Sequence, residues 1–166
     1  MRLTIEDFDF VMQFTTPEAG WDDVSDDFTR DADKEAAVLA VLTDPQTICL
    51  APDQNSFWVF QQRTMILYEA HVQVLPTGRG KAAFRAGVQA ITWMFENTLC
   101  QKIFGFTPAD NKKAVLFTRK VGFRAEGVCT RSRMYRGMLH DQIISGLSKA
   151  EWTHKEKKRC HGLRQQ

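Results

Sequence analysis

The sequence predicts a mixed α/β protein in which helices cover one central sheet. Its expected elements run as helices, three strands, a helix, a strand, a helix and two strands. A helix that crosses between strands is typical of such sheets. A glycine-rich basic turn joins the third strand to the first crossover helix. We expect one domain over residues 1–152 and a basic, flexible tail at 153–166.

The first third of the chain gives the weakest structural signals. Residues 2–5 fit a strand, and residues 6–14 fit either a helix or a loop. Thr16-Pro17-Glu18 looks like a helix start with proline at its first position. Good helix formers fill residues 31–42 and predict a helix that ends before Asp44-Pro45.

Three strand-like runs follow, with a hairpin turn expected at Asp53–Ser56 between the first two. They cover Thr47–Ala51, Phe57–Gln62 and Met65–Val74. After the glycine-rich turn, apolar residues recur at helical spacing and predict one buried helix face. These residues are Phe84, Val88, Ile91 and Phe95.

The last part of the predicted sheet encloses a second helix. A strand is expected over residues 99–107, and Asp110 or Asn111 can cap the helix that follows. Gly122 suits the left-handed position beyond its end. Two strands follow, Phe123–Tyr135 and Leu139–Ser148, separated by a turn near Arg136-Gly137.

The glycine turn, which we define as residues 76–83, is the most informative segment for function. A strand that ends in such a turn points several backbone N–H groups at one spot, and the following helix adds its positive dipole end. We therefore expect a site for an anion, most simply a phosphate. The spacing matches neither the Gly-Lys-Ser/Thr phosphate loop nor the dinucleotide fingerprint, which argues against ATP and NAD.

The charge of the chain is divided between its two parts. Residues 1–53 have a balance of −10 and residues 54–166 a balance of +12, which together give the formal net charge of +2. The basic part contains the glycine turn, and this suits a polyanionic ligand. Nucleic acid is not expected as a ligand, because no strand carries an aromatic and basic stripe.

The composition is that of a soluble protein without a membrane partner. No apolar run approaches the length of a membrane span and no leader is recognised, so a cytoplasmic location is expected. The four cysteines are spaced singly, which argues against a metal site and against a disulfide framework.

The order of elements, together with two motifs, resembles the GNAT superfamily of acetyl-CoA-dependent N-acetyltransferases. The cofactor turn of that family reads Arg/Gln-x-x-Gly-x-Gly/Ala, and here residues 79–84 read Arg-Gly-Lys-Ala-Ala-Phe after Val74 and Pro76. The second signature is matched by Asn111, Ala114 and Lys120–Phe123. Residues 141–152 look like the ending of the branch that acetylates ribosomal-protein N-termini. Compact, divergent members of this kind also occur in phage and prophage.

The resemblance implies a mixed, mostly antiparallel sheet with a splayed cofactor-binding strand, and acetyl-CoA (coenzyme A) as cofactor. Backbone groups of the splayed strand would hold the pantetheine arm. Amides of the glycine turn would hold the pyrophosphate, and nearby cationic side chains would bind the outer phosphates. The residues implied on the cofactor side are Val72, Val74, Arg79, Gly80, Lys81, Ala82, Ala83, Asn111 and Lys113. Ala82 and Phe84 depart from the family turn. We expect Ala82 to keep its N–H donor and Phe84 to turn into the core.

The resemblance also implies catalytic candidates. Glu69 lies on the cofactor strand, where many members carry a base, and His71 shares its strand face. A structural Glu–Arg pair is the alternative for Glu69. Many members place a tyrosine acid where this chain has Phe117. Tyr135 and Tyr68 are the remaining tyrosines and therefore the possible proton donors.

The expected function is transfer of an acetyl group from acetyl-CoA to a primary amine by direct attack. The amine is that of a small molecule, a protein N-terminus or a lysine, and the acidic first third favours a cationic acceptor. The alternative is a GNAT-fold protein that has lost catalysis and serves in assembly, for example of a phage particle. Phe84, Phe117 and the imperfect glycine pattern motivate that alternative. A homodimer remains open.

Overall fold

A computed structural model describes residues 1–154 and contains a six-stranded sheet. Its strands are β1 (Thr47–Leu50), β2 (Ser56–Gln62), β3 (Leu67–Val74), β4 (Lys102–Pro108), β5 (Arg124–Tyr135) and β6 (Met138–Ser148). The strand order is β1-β2-β3-β4-β6-β5, and each neighbouring pair is antiparallel except β3–β4. The predicted mixed α/β class and mostly antiparallel sheet are confirmed.

The parallel pair β3–β4 separates along its length. Residues Leu67–Glu69 pair with Lys102–Phe104, and no pairing between these two strands continues beyond that point in the part of the chain described. Both strands extend further, to Val74 and Pro108. The splayed strand expected from the resemblance is therefore present, and it opens a gap in the middle of the sheet.

One face of the sheet is covered by the two longest regular helices in the second half of the chain. Helix α5 (Lys81–Asn97) and helix α6 (Lys112–Val121) pack over a core that includes Trp58, Phe60 and Ile103. Phe84 is half-buried and packs against this core, as expected. Ala82 lies in regular helix, so its change from glycine imposes no positive φ.

The other face is covered by short N-terminal helices. These are α1 (Phe8–Met12), α2 (Trp21–Val24), α3 (Asp27–Arg30) and α4 (Lys34–Thr43). Helices α1 and α4 pack on Cys49, Ala51 and Val59, which alternate along β1 and β2 with residues of the first core. The sheet therefore has an apolar core on each face.

The structure corrects two expectations in the first third of the chain. Residues 2–5 do not form a strand, because Arg2 makes only an isolated bridge with Leu50 and residue 5 begins a 3₁₀ turn. Pro17 does not begin a helix. It lies in a turn, and helix α2 begins only at Trp21, after Gly20 has taken a φ of 86°.

The hairpin β5–β6 is held against the N-terminal helices. Its turn at Arg136-Gly137 has positive φ at both residues, and their N–H groups donate to the Asp27 carboxylate at 2.8 and 2.7 Å. Residues 149–154 are helical. Most of the expected tail, residues 155–166, lies outside the described part of the chain. Among residues 1–154, no helix has the length and apolarity needed to cross a membrane.

Candidate active site

A cavity of about 480 Å³ occupies the gap between the separated halves of β3 and β4. Residues 70–73 line it from β3 and residues 105–108 from β4. On one face of the sheet it reaches helix α6, through Asn111 and Phe117, and on the other face it reaches the N-terminal helices. The cavity therefore passes through the sheet and connects its two faces.

The glycine turn follows directly from the end of β3 and leads into the long helix α5. Gly80 has φ 85° and ψ −127°, a conformation that side chains disfavour, and no side chain caps the helix. The N–H groups of residues 80–83 donate to no acceptor among residues 1–154, whereas those of Gly78 and Arg79 are used within the turn. The start of α5 thus presents a row of free donors together with its positive dipole end.

Contacts with the β1–β2 turn fix the shape of the glycine turn. The Leu75 N–H donates to the Asn55 carbonyl at 2.9 Å, and the Thr77 hydroxyl to the Asn55 side-chain oxygen at 2.9 Å. A Cβ on Gly78 would lie 2.3 Å from the Asn55 Cβ, so only glycine fits there. Asn55 gave no functional signal in the sequence, because its role depends on a distant part of the chain.

The other cofactor-side candidates are distributed around this end of the sheet. Asn111 lines the cavity and caps α6, its side-chain oxygen accepting from the Ala114 N–H at 3.0 Å. Val72 lines the cavity, whereas Val74 pairs with β2 and does not. Three basic side chains, Arg79, Lys81 and Lys113, are exposed.

The catalytic candidates Glu69 and His71 lie in contact with each other on β3. The Glu69 side chain is only 11% exposed, and the His71 Nε2 lies 3.4 Å from its Oε1. Arg63 donates to the other oxygen of Glu69 from Nε at 2.9 Å and from Nη2 at 2.7 Å. His71 lines the cavity and Glu69 does not, so the carboxylate stands behind the imidazole.

Partial burial in the cavity wall lowers the pKa of His71 below its ordinary value near 6.5, although 54% of its side chain is exposed. The Glu69 carboxylate opposes this shift, and the Arg63 guanidinium adds to it. The imidazole is therefore neutral at pH 7. A neutral imidazole at the cavity wall can accept a proton.

Neither candidate tyrosine lines the cavity. Tyr135 lies at the end of β5, where the guanidinium carbons of Arg30, Arg133 and Arg136 stand 5.3, 4.4 and 5.1 Å from its ring centroid. Tyr68 is buried in the core beneath α5, and that burial raises the pKa of its phenol. Phe117 does line the cavity and carries no ionisable proton.

The cysteines described in the structure are free thiols, and two of them are buried. Burial raises the pKa of Cys49 to about 12 and that of Cys100 to about 11, so both thiols remain protonated at neutral pH. Among residues 1–154, no group of histidine, cysteine, aspartate and glutamate side chains is arranged to hold a metal ion.

No family model matches the sequence, and no curated protein matches it. Solved structures do match the fold. Spermidine N-acetyltransferase from Vibrio cholerae, solved in complex with CoA and spermine, aligns with a TM-score of 0.75 over 92% of this chain and 96% of that chain, at 16% identity. A probable acetyltransferase aligns with a TM-score of 0.54 over 59% of this chain and 57% of that chain, at 22% identity.

This chain has the GNAT fold. Mutant forms of the spermidine/spermine N-acetyltransferase from Vibrio cholerae align equally well, with a TM-score of 0.75 over 94% of this chain and 96% of that chain, at 16% identity. The GNAT fold explains why a cavity passes between two strands that begin as a parallel pair. At this low identity, the likeness concerns the backbone arrangement.

The sequence did not indicate the residues that line the N-terminal side of the cavity. They include Phe14, Trp21, Ser25, Lys34 and Phe57. The Trp21 Nε1 and Ser25 Oγ atoms are buried and have no hydrogen-bond partner among the described residues. Short helices position these side chains, and no motif marks them. Only the three-dimensional packing shows that they face the same cavity as His71.

Proposed function

We propose that this protein is an N-acetyltransferase that moves an acetyl group from acetyl-CoA to a primary amine by direct attack. The observation that carries the proposal is the cavity through the splayed sheet, next to the uncapped start of α5. Such a passage lets two reactants enter from opposite faces and meet at the separated strands. Holding two reactants together supplies a large part of the acceleration in such a reaction.

The residues of the cofactor side fit the chemistry of coenzyme A. The free N–H groups of Gly80, Lys81, Ala82 and Ala83 would hold the pyrophosphate, and Arg79, Lys81 and Lys113 would meet the outer phosphates. The separated backbones of Val72 and its neighbours would hold the pantetheine arm. Bound acetyl-CoA would supply an activated acetyl thioester at the gap in the sheet.

His71 is the proposed general base. An alkylammonium ion has a pKa of about 10, so the acceptor must lose a proton before its nitrogen can attack. His71 faces the cavity in its neutral form and can take that proton, directly or through one water molecule. The charge of Glu69 would then stabilise the imidazolium, while Arg63 holds the carboxylate in position.

No tyrosine is assigned as the general acid. Phe117 has no proton to donate, and neither Tyr68 nor Tyr135 lines the cavity. Tyr135 instead stacks with arginines near the β5–β6 turn. The likeness to the ribosomal-protein branch, a phage origin, a cytoplasmic location and a homodimer remain predictions.

Calorimetry and mass spectrometry together test the proposed function. Titration of CoA into the protein should give one-site binding, and incubation with acetyl-CoA and a panel of amines should yield a product heavier by one acetyl group. His71→Gln should keep CoA binding and lose most of the transfer. Absence of CoA binding at millimolar concentration would overturn the proposal and favour the assembly role.

A further inference from the structure

The acceptor side of the cavity has apolar walls. Its lining from the N-terminal helices and β2 is largely aromatic and aliphatic: Val11, Phe14, Trp21, Val38, Val41, Phe57 and Val59. No aspartate or glutamate occurs among the described residues that line the cavity. Walls of this kind favour a ligand with an apolar side chain, because its burial removes apolar surface from water.

Three acidic residues of the first third are engaged away from the cavity. Asp26 caps α3 through the N–H groups of residues 28 and 29, and Asp33 caps α4. Asp27 pairs with Arg30 and holds the β5–β6 turn. Glu69 stands behind His71 and is paired with Arg63. Among the side chains that the structure describes, a polycationic acceptor would therefore meet no lining carboxylate, contrary to the expectation drawn from the acidic first third.

Two hydrogen-bond groups without partners lie buried in the wall of the same cavity. The buried Trp21 Nε1 can only donate, and the buried Ser25 hydroxyl lies one helical turn further on, where the Ser25 N–H bonds the Trp21 carbonyl at 2.9 Å. Arg133 fixes this turn by donating to the Ser25 carbonyl at 2.6 Å. Lys34 lines the cavity and forms no ion pair with any of the side chains that the structure describes.

The Lys34 side chain lines the cavity, and the indole N–H of Trp21 and the hydroxyl of Ser25 lie in its wall, so this side suits a carboxylate. Buried donors without a partner are costly, and an anionic acceptor forms the strongest hydrogen bonds with such groups. The amine must lie near His71 for proton transfer. The cavity thus combines a place for an amine, donors for an anion and apolar walls for a side chain.

We propose that the acceptor is a free α-amino acid with an aromatic or long aliphatic side chain. Its carboxylate binds Lys34, next to the wall that contains Trp21 and Ser25, and its amino group faces His71. The neutral amine attacks the acetyl carbon; the new C–N bond forms as the C–S bond breaks. Before this attack, His71 takes one proton from the ammonium group. As the C–S bond breaks, the sulfur takes up the bond's electron pair and the second proton lost from nitrogen, so that CoA leaves as the thiol. This inference rests on the proposed function.

Competing amines test the inference. L-Phenylalanine is compared with 2-phenylethylamine, which lacks the carboxylate, with a short peptide that begins with phenylalanine, and with spermidine. We expect kcat/KM for phenylalanine to exceed each of the others by about tenfold or more, since a site built to bind a polar group rejects analogues that lack it. Calorimetry of phenylalanine with the CoA-bound protein provides a second readout.

Three variants remove the donors one at a time: Trp21→Phe, Ser25→Ala and Lys34→Gln. Lys34→Gln should reduce the preference for phenylalanine over 2-phenylethylamine by about fivefold or more, because it removes the charge partner of the carboxylate. Arg119→Gln removes a cation from α6 outside the cavity lining and is the matched control. It should leave the preference unchanged. CoA affinity should persist in every variant.

The outcomes separate the two proposals. Equal or better use of 2-phenylethylamine, the peptide or spermidine would overturn the amino-acid assignment and leave the acetyltransferase proposal standing. An unchanged preference in Lys34→Gln would also overturn the assignment. Binding of phenylalanine without transfer would overturn its assignment as the acceptor; if no other amine were acetylated either, it would overturn the acetyltransferase function as well. CoA binding without binding or transfer of any tested amine would overturn the assignment alone.

Discussion

The two sides of the cavity are built in different ways. The cofactor side consists of a strand, a short turn and the 17-residue helix α5, all consecutive in sequence. The acceptor side consists of helices of four or five residues and of α4, which has ten. Helices this short are marginal by themselves, so contacts with other parts of the chain must hold them.

Those contacts span much of the sequence. The Arg133 guanidinium reaches the Ser25 carbonyl across 108 positions, and the Gln73 amide donates to the Phe14 carbonyl across 59. The proposed cofactor side therefore depends mainly on local geometry, with Asn55 as its distant contact, and the proposed acceptor side depends on tertiary contacts. Substitutions on the two sides should accordingly affect different measurements.

The largest effect is expected where the two sides meet, at His71. His71→Gln should lower kcat by about a hundredfold, the usual contribution of a general base, without changing CoA affinity. In the unsubstituted protein, kcat should fall as the pH drops through the lowered pKa of His71, below 6.5, because the protonated ring accepts no proton. That acidic limb should be absent from the pH profile of His71→Gln. Retention of the limb would remove His71 as the base.

Arg133→Met should disturb the packing of the acceptor side of the cavity and leave the cofactor side unchanged. A hydrogen bond from a charged donor contributes about 1.5–3 kcal/mol, and we expect a loss of about 2 kcal/mol in the free energy of unfolding. KM for the amine should rise while CoA affinity is kept. The control is Arg124→Met, since Arg124 is 69% exposed and its 3.5 Å pair with Glu151 should contribute at most about 1 kcal/mol. Urea denaturation measures the free energy of unfolding of both variants. An equal loss of stability in Arg133→Met and Arg124→Met would contradict the prediction.

Gly80→Ala should disturb the glycine turn on the cofactor side and leave the acceptor side unchanged. The φ of 85° at Gly80 is unfavourable for alanine by about 1–3 kcal/mol, so the turn must move its free N–H groups. CoA affinity measured by calorimetry should fall by about tenfold, which corresponds to about 1.4 kcal/mol. Gly127→Ala is the matched control, because a Cβ there meets nothing within 4 Å and needs no positive φ. If Gly80→Ala left the affinity for CoA unchanged, the phosphates of CoA would not bind at the glycine turn.

The smallest effect is expected for Ala82→Gly, which restores the glycine of the family turn. Because Ala82 lies in regular helix, the change should cost about 0.5–1 kcal/mol of stability. It should not improve CoA affinity, since alanine already leaves the N–H free. Thermal denaturation and calorimetry measure the two quantities. A clear gain in affinity would show that the side chain of Ala82 crowds the ligand.

Most of the sheet and the second half of the chain could be predicted from sequence. Local sequence rules predict three of these features. They are the capping of α6 by Asn111, its end at Gly122 with φ 131°, and the turn at Arg136-Gly137. The start of α2 was predicted wrongly, because Pro17 occupies a turn that is equally compatible with its fixed φ. Only tertiary contacts distinguish the two structures at that position.

By itself, the sequence determined the strands of the sheet, the helices of the second half, the free N–H groups after Gly80 and the position of Glu69 and His71 on one strand face. These features depend on neighbours within a few residues, and backbone geometry fixes them. The tertiary structure alone decided that Trp21, Ser25 and Lys34 line the same cavity as His71, and that Tyr135 does not. Short helices without strong local signals take their positions from distant partners, and no spacing in the sequence records those contacts.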